Sequence, residues 1–312
     1  MKILIINTGI HEKNKQGLVK MLEYLHRSNT NNTNNSNIQE IKYKIGTGTI
    51  ADIQNYDIIY NPSKEINTSL YPNKKFIFGP HFSTFPNNHQ LQSLQNNKYK
   101  NSIYIQPSEW VVQLWKNMGA EQFLPIKSFP FPVNTEKFAP APAPAPAPAT
   151  IKNNVLVYYK HRSPQEFNQL KDFLIKQNIN FRLFDYRQRY NETDYLAYLQ
   201  TCKYGILLDA HESQGFAVEE ALSCNIPLLV WNVQTMNQEH GSSYHPIPCT
   251  SIPYWDNSKC GEYFHHISEL PHAFQTFQNK LNNNQYNPRQ YILDNLSTEK
   301  CAERFVTMIN SI

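Results

Sequence analysis

The feature that most constrains this chain is a pattern that occurs twice. Before residue 139, apolar runs alternate with helix-like segments: KILIIN (2–7), GLVKMLEYLH (17–26), YDIIYN (56–61), KKFIFG (74–79), SIYIQPS (102–108) and EWVVQLWKNMG (109–119). After residue 149 it restarts with NVLVYY (154–159), EFNQLKDFLIKQ (166–177), NFRLFDY (180–186), TDYLAYLQTC (193–202), YGILLDA (204–210), FAVEEALSC (216–224) and PLLVWN (227–232). Apolar strands without a polar face cannot border water, and their alternation with amphipathic helices predicts parallel sheets covered on both sides. That is the doubly wound α/β architecture. Such sheets bind ligands beyond the carboxyl ends of their strands, so the loops after Asn7, Gly79, Tyr159, Tyr186 and Ala210 are where chemistry is expected.

A chain of 312 residues exceeds one small core and suits two domains. The run APAPAPAPAPA (139–149) separates the two halves. Alternating proline removes backbone donors and fixes φ, so this run enters neither a helix nor a central strand. At about 3.1 Å per residue it spans roughly 34 Å, as a spacer or as a tolerated surface expansion. The expected division is 1–138 for an N-terminal Rossmann-like domain, 139–149 for a linker, 150–290 for a C-terminal Rossmann-like domain, and 291–312 for helices returning toward the first domain. SNTNNTNNSN (28–37) has nothing apolar to bury and reads as a mobile surface loop.

Composition excludes several classes. A net charge of +4 without a dense Lys/Arg run argues against nucleic acid. The opening MKILIINTGIHEK is too short in apolar residues for a secretory leader or a membrane span, so a cytoplasmic protein is expected. Cys202, Cys224, Cys249, Cys260 and Cys301 are odd in number, lack a CxxC spacing and read as reduced thiols.

The densest chemistry lies in HESQGFAVEEALSCNIPLLV (211–230). Asp209, His211 and Glu212 follow a strand, and Gly215 permits a tight turn into a helix carrying Glu219 and Glu220. N–H groups at that helix start favour a phosphate. Successive helical positions diverge by about 100°, so one of the two glutamates faces inward. Val218, Ala221 and Leu222 mark the core face, which selects Glu220 and leaves Glu219 toward solvent. A carboxylate there accepts from both hydroxyls of a ribose while the helix tip holds the phosphates of the same nucleotide.

Glu212 and Glu220 with seven residues between them, Gly215-Phe216 inside, and Ala221 and Pro227 after, resemble the ESxGFxxxEAxxxGxP signature of retaining GT-B glycosyltransferases, notably family 4. QPSEWVVQLWKNMG and PFPVNTEKFAP resemble the end of that family's first domain, and YILDNLSTEKCAERFVTMI its closing helices. The resemblance implies a GT-B fold, two Rossmann-like doubly wound domains facing a central cleft, and transfer of a sugar from a nucleotide-diphosphate sugar, UDP- or GDP-linked. The acceptor would be a carbohydrate, glycan or glycoprotein hydroxyl held mainly by the N-terminal domain. It further implies retention, no cofactor and no metal, in keeping with the lack of a DxD triplet.

By the same resemblance, Glu220 binds the ribose, and the amides of Gly215, Phe216 and Ala217 meet the pyrophosphate or donor sugar. Glu212 holds sugar hydroxyls near the anomeric carbon. Lys160 and Arg162 neutralise the diphosphate leaving group, His81 stands close to the reacting sugar, and Arg187 and its neighbours fall where the base is read. The family's first loop is Gly-Gly-rich; here NTGIHEKNKQG offers only Gly9 near the strand end, and no lysine follows Arg162 about five residues on. Without the resemblance, Lys160 and Arg162 are surface cations, His81 a loop histidine bonded to backbone, and His211 either a ligand contact or a structural group. A sugar-nucleotide epimerase of this fold and an inactive sugar-nucleotide-binding scaffold are the rival readings.

Overall fold

The computed structural model describes residues 1–6, 9–31, 42–46, 50–62, 64–81, 84–85, 88–142, 153–188 and 190–312. Asn7, the Asn-rich stretch beyond Asn31 and Ala-Pro residues 143–149 lie outside these. The chain forms two compact units, Met1–Pro132 with Thr298–Ile312, and Val133–Ser297.

The first unit holds strands β1 (Lys2–Ile6), β2 (Lys42–Gly46), β3 (Ile58–Asn61), β4 (Lys75–Phe78), β5 (Ser102–Gln106) and β6 (Ile126–Ser128). They form one sheet in the order β2-β1-β3-β4-β5-β6, and every pairing is parallel. Helices α1 (Glu12–Asn31), α2 (Ile50–Gln54), α3 (Asn88–Asn96) and α4 (Glu109–Asn117) provide the crossovers, and α10 (Thr298–Asn310) joins from the far end of the chain. Helix α1 runs through Asn31, so Ser28–Asn31 are helical where a loop was expected. Extending a formed helix adds one hydrogen bond per residue without a new nucleus, and polar residues can be drawn in.

The second unit holds β7 (Asn154–Lys160), β8 (Arg182–Asp185), β9 (Cys202–Asp209), β10 (Leu228–Trp231) and β11 (Gly261–Phe264). Their order is β11-β10-β9-β7-β8, again all parallel. Side chains alternate along each strand, and both faces are core. Leu156, Tyr158, Leu207, Leu228 and Val230 lie in one cluster, and Val155, Val157, Ile206, Leu208, Leu229 and Trp231 in the other. The first cluster takes in residues of α6 (Glu192–Leu199), α7 (Phe216–Ser223) and α9 (Pro288–Leu296); the second takes in α5 (Pro164–Lys176) and α8 (Leu270–Asn282).

The division between units falls at Pro132–Val133, ahead of the Ala-Pro run. Val133 donates from its amide to the Leu296 carbonyl at 2.9 Å, and the Phe138 carbonyl accepts from the Ser223 hydroxyl at 2.6 Å. Both side chains are buried in the second unit's core, which fixes this segment there before the prolines begin. At the other end α9 stays with the second unit and only α10 belongs to the first. All five cysteines are free and buried. Among the described residues no helix is long and apolar enough to cross a membrane.

Candidate functional site

In the second unit the strand order reverses direction between β7 and β9: β8 lies outside β7, and β10 and β11 lie outside β9. In doubly wound sheets the crossover loops diverge at such a point, and ligands bind beyond the strand ends. Lys160 ends β7 and Asp209 ends β9, and the two are register partners. Their side chains therefore project on the same face, one strand spacing apart.

The chain then returns Glu212 to this point. Its amide donates to the Thr250 carbonyl at 3.0 Å, and its carboxylate receives a short hydrogen bond from the Lys160 ammonium. The ammonium also lies 4.9 Å from the centre of the Tyr186 ring. Burial opposes the charged form of Lys160, but Asp209 and Glu212 outweigh it and hold the amine protonated. Burial likewise works against ionised Glu212, and the Lys160 ammonium with its hydrogen bond overrides it, leaving Glu212 below the usual carboxylate range. Asp209, wholly buried, goes the other way. Desolvation and the neighbouring Glu212 raise its pKa well above normal against the pull of Lys160. The site thus pairs a protonated amine with the Glu212 carboxylate beside an Asp209 carboxyl that holds its proton more tightly than usual, and neither Asp209 oxygen makes a hydrogen bond of normal geometry.

These shifts have a pH signature. Because the folded pKa of Glu212 is depressed, the stability it supplies is present above its unfolded value and is lost as pH falls through the folded one. Glu212→Gln is expected to destabilise the protein by about 1–3 kcal/mol near neutral pH. Urea unfolding at pH 7 and again below pH ~4 checks this: the gap between the two proteins should close on acidification, and a gap independent of pH would refute the ion-pair assignment.

Arg162 sits where sequence reasoning expected a second open cation, and its side chain is wholly buried. Its Nη1 donates to the carbonyls of Asp209 at 3.1 Å and Trp231 at 2.9 Å. Its Nε and Nη2 donate to Glu166 at 3.0 and 2.5 Å, and the guanidinium lies 5.4 Å from the centre of the Trp231 ring. Glu166 also completes a capping box with Ser163 at the start of α5. Arg162 therefore ties the ends of β9 and β10 to the first turn of α5.

Helix α7 begins at Gly215, whose φ of +94° is a left-handed conformation that L side chains rarely adopt. The N–H groups of its first turn, at Phe216 and Ala217, have no acceptor within the helix. Glu220 is buried as expected, but so is Glu219, at 1% exposure, correcting its assignment to solvent. The helix is enclosed along its length, from Val218 through Ser223, and the Glu219 carboxylate accepts from the buried Gln214 amide at 3.0 Å. Near Glu220 lies a tyrosine cluster: the Tyr195 hydroxyl bonds the Ala217 carbonyl at 2.9 Å, and the Tyr190 ring lies 5.2 Å from Tyr195 and 5.9 Å from Tyr158. Arg187 turns back onto Asp185, with contacts of 2.8 to 3.3 Å.

Lys160 and Glu212 are thus brought together at the strand reversal, and Gly215, Phe216, Ala217 and Glu220 follow on the next element, at the start of α7. His81 and Gly9 belong to the first unit, following β4 and β1 respectively. Gly9 is exposed with φ of +63°, and burial keeps the His81 imidazole below its usual pKa.

Sequence reasoning missed Glu239 and Asn232. The Glu239 carboxylate lies 3.2 Å from His211 Nδ1 and 4.0 Å from His161 Nδ1, linking the loops after β9 and β7. Desolvation brings His211 down to about 4, so it is neutral at pH 7. Asn232 Oδ1 accepts from the Thr250 hydroxyl and from the amide and hydroxyl of Ser251, at 2.8 to 3.0 Å, shaping the loop that holds Glu212. Glu239 lies outside the apolar periodicity, Asn232 is the polar end of the run PLLVWN, and both lie outside the recognised motif.

Two all-parallel Rossmann-like units, the second with a cation and carboxylates at its switch point, define the GT-B class of fold. Solved structures agree. A glycosyltransferase from Rickettsia africae ESF-5 superposes with a TM-score of 0.56 at 13% identity, covering 99% of this chain and 98% of that one. A sucrose-phosphate synthase from Thermosynechococcus elongatus does so at 0.55 and 10% identity, over 100% and 98%. An α-glucosyltransferase solved with UDP and a 13-mer DNA containing an HMU base gives 0.50 at 9% identity, over 99% of each chain. No protein-family profile and no curated protein sequence matches the chain. The chain has the fold of GT-B glycosyltransferases.

Proposed function

We propose that this chain is a glycosyltransferase that moves a sugar from a UDP- or GDP-linked donor to a hydroxyl acceptor, with retention and without a metal ion. The observation that carries the reading is the Lys160–Glu212 pair at the β7/β9 switch point. In the reaction the bond from the anomeric carbon to the diphosphate oxygen breaks, and its electron pair leaves with the diphosphate. The acceptor oxygen bonds the same carbon, and its proton passes to the departing phosphate oxygen. Lys160, held protonated, meets the charge that develops on that leaving group, and the α7 amides meet it from another side. Glu212, relieved of Lys160 as the diphosphate arrives, is then free to hold sugar hydroxyls. Glu220 accepts from the ribose and Tyr190 borders the base. Arg162 positions the strand ends.

A non-catalytic donor-binding protein is the reading favoured by one observation, that Arg162 faces inward and leaves Lys160 as the cation that follows β7 into the site. Thermal shift with UDP and GDP on the wild type and Glu220→Ala, alongside release of nucleoside diphosphate from UDP- and GDP-sugars, separates the two. The expected result is stabilisation by one nucleotide, weakened about tenfold or more in Glu220→Ala, with turnover. Binding without any turnover, including hydrolysis, would establish the non-catalytic reading.

A further inference from the structure

The second unit carries a hollow at the end of its sheet opposite to the candidate site. A cavity of about 450 Å³ opens where β7 and β9 begin, beside the C-terminus of α5 and the flank of α8. Six residue steps of β7 separate its mouth from Lys160, roughly 20 Å. An adjoining hollow of about 320 Å³ shares Gln177, Phe274 and Gln278 with it. Each lies within the usual range for small-ligand sites, about 300–1,000 Å³.

Its lining is rich in amides. Asn153, Gln177, Asn178, Asn180 and Gln278 contribute primary amides, each with both donors and acceptors. The one charged side chain on the wall, Lys203, already donates to Asn282 Oδ1 at 3.1 Å. The rings of Tyr204 and Phe274 supply apolar surface, and Phe274 is held in place by an edge contact with Phe173, centroids 5.4 Å apart. Gln278 Nε2 is closed to solvent and makes no hydrogen bond of normal geometry, and burial pushes the Tyr204 phenol beside it up to about 12 against the pull of this amide. Its terminal torsion is soft, so this donor turns readily toward an incoming acceptor.

Amides and aromatic faces, with the single ammonium of Lys203 turned to Asn282, suit a neutral ligand dense in hydroxyls. An anion would meet one ammonium and five neutral amides, and a purely apolar ligand would strip water from those amides without replacing its hydrogen bonds. We propose that this hollow is a saccharide-binding site separate from the switch-point site, taking a short neutral oligosaccharide whose hydroxyls pair with the amides and whose ring C–H faces lie on Phe274. It holds a glycan to the second unit without taking part in chemistry. The assignment stands whether or not the chain transfers sugar.

Saturation-transfer NMR on the full chain tests this, with maltotetraose, cellotetraose, laminaritetraose and chitotetraose at millimolar concentration. At least one should give saturable transfer. Phe274→Ala should weaken it about tenfold, and so should the pair Gln177→Ala with Asn180→Ala, two exposed lining positions whose truncation leaves the core intact. Glu220→Ala should leave it unchanged. No transfer from any of the four sugars would overturn the proposal. So would transfer lost in Glu220→Ala but kept in the groove variants, or equal competition by the neutral peptide Ala-Ser-Gly-Asn.

Discussion

Lys160→Met is expected to lower donor turnover by about 10²- to 10³-fold while leaving nucleotide affinity within a few-fold. Methionine keeps the stem length and removes the charge. The loss falls on kcat because charge on the leaving diphosphate is greatest in the transition state, and a fixed cation stabilises that state more than the bound donor. The same substitution leaves half-buried Glu212 and buried Asp209 without their cation. Breaking a buried pair from one side costs about 3–5 kcal/mol. With Lys160 gone the Glu212 pKa rises, so the variant loses stability as pH increases, the reverse of the wild-type pair. Single-turnover kinetics with the donor and urea unfolding at pH 5 and pH 8 measure both effects. A variant with wild-type turnover would remove Lys160 from the reaction.

Arg162→Met is expected to behave differently, with a stability loss of about 3–5 kcal/mol and little effect on turnover per folded molecule. The wild-type guanidinium gives Nη1 to the Asp209 and Trp231 carbonyls and grips Glu166 at two points. Its removal leaves those carbonyls without a donor and frees the ends of β9 and β10. Arg162→Lys should not restore stability, because an ammonium cannot reproduce the planar fork. Melting curves together with rates normalised to folded protein check this. A stable Arg162→Met that has lost turnover would show the guanidinium contacting donor, as the family resemblance implies.

The two cations also show what was legible in the sequence. Lys160 and Arg162 are two residues apart in KHRSP and look equivalent there. They differ in three dimensions because His161 between them has φ of +53°, and the turn sends Lys160 to the crevice and Arg162 into the core. Nothing in the apolar pattern announces that conformation. The central strands were legible because burial on both faces leaves continuous apolar runs. The edge strands β2, KYKIG, and β11, GEYF, were not: an edge admits charge, which breaks the run. Glu220 was placed by its helical phase, whereas the same argument put Glu219 in solvent, since phase alone does not reveal that α7 is enclosed all round. The Ala-Pro run is the strongest break in composition and marks the boundary in the sequence, yet Val133 and Phe138 commit the chain to the second core before it. Glu239 reaches the site from a loop with no periodicity, and only its contacts with His211 and His161 identify it.

The central claim is that the β7/β9 switch point transfers sugar from a nucleotide-sugar. The most direct measurement is chromatographic detection of nucleoside diphosphate released from a panel of UDP- and GDP-sugars, by the wild type and by Glu212→Gln, with and without an oligosaccharide acceptor. The expected result is release from one donor class, accelerated by acceptor and reduced at least about 10²-fold in Glu212→Gln. Release that is equal in the two proteins, or absent from the wild type with every donor and acceptor while UDP or GDP still binds, would contradict it.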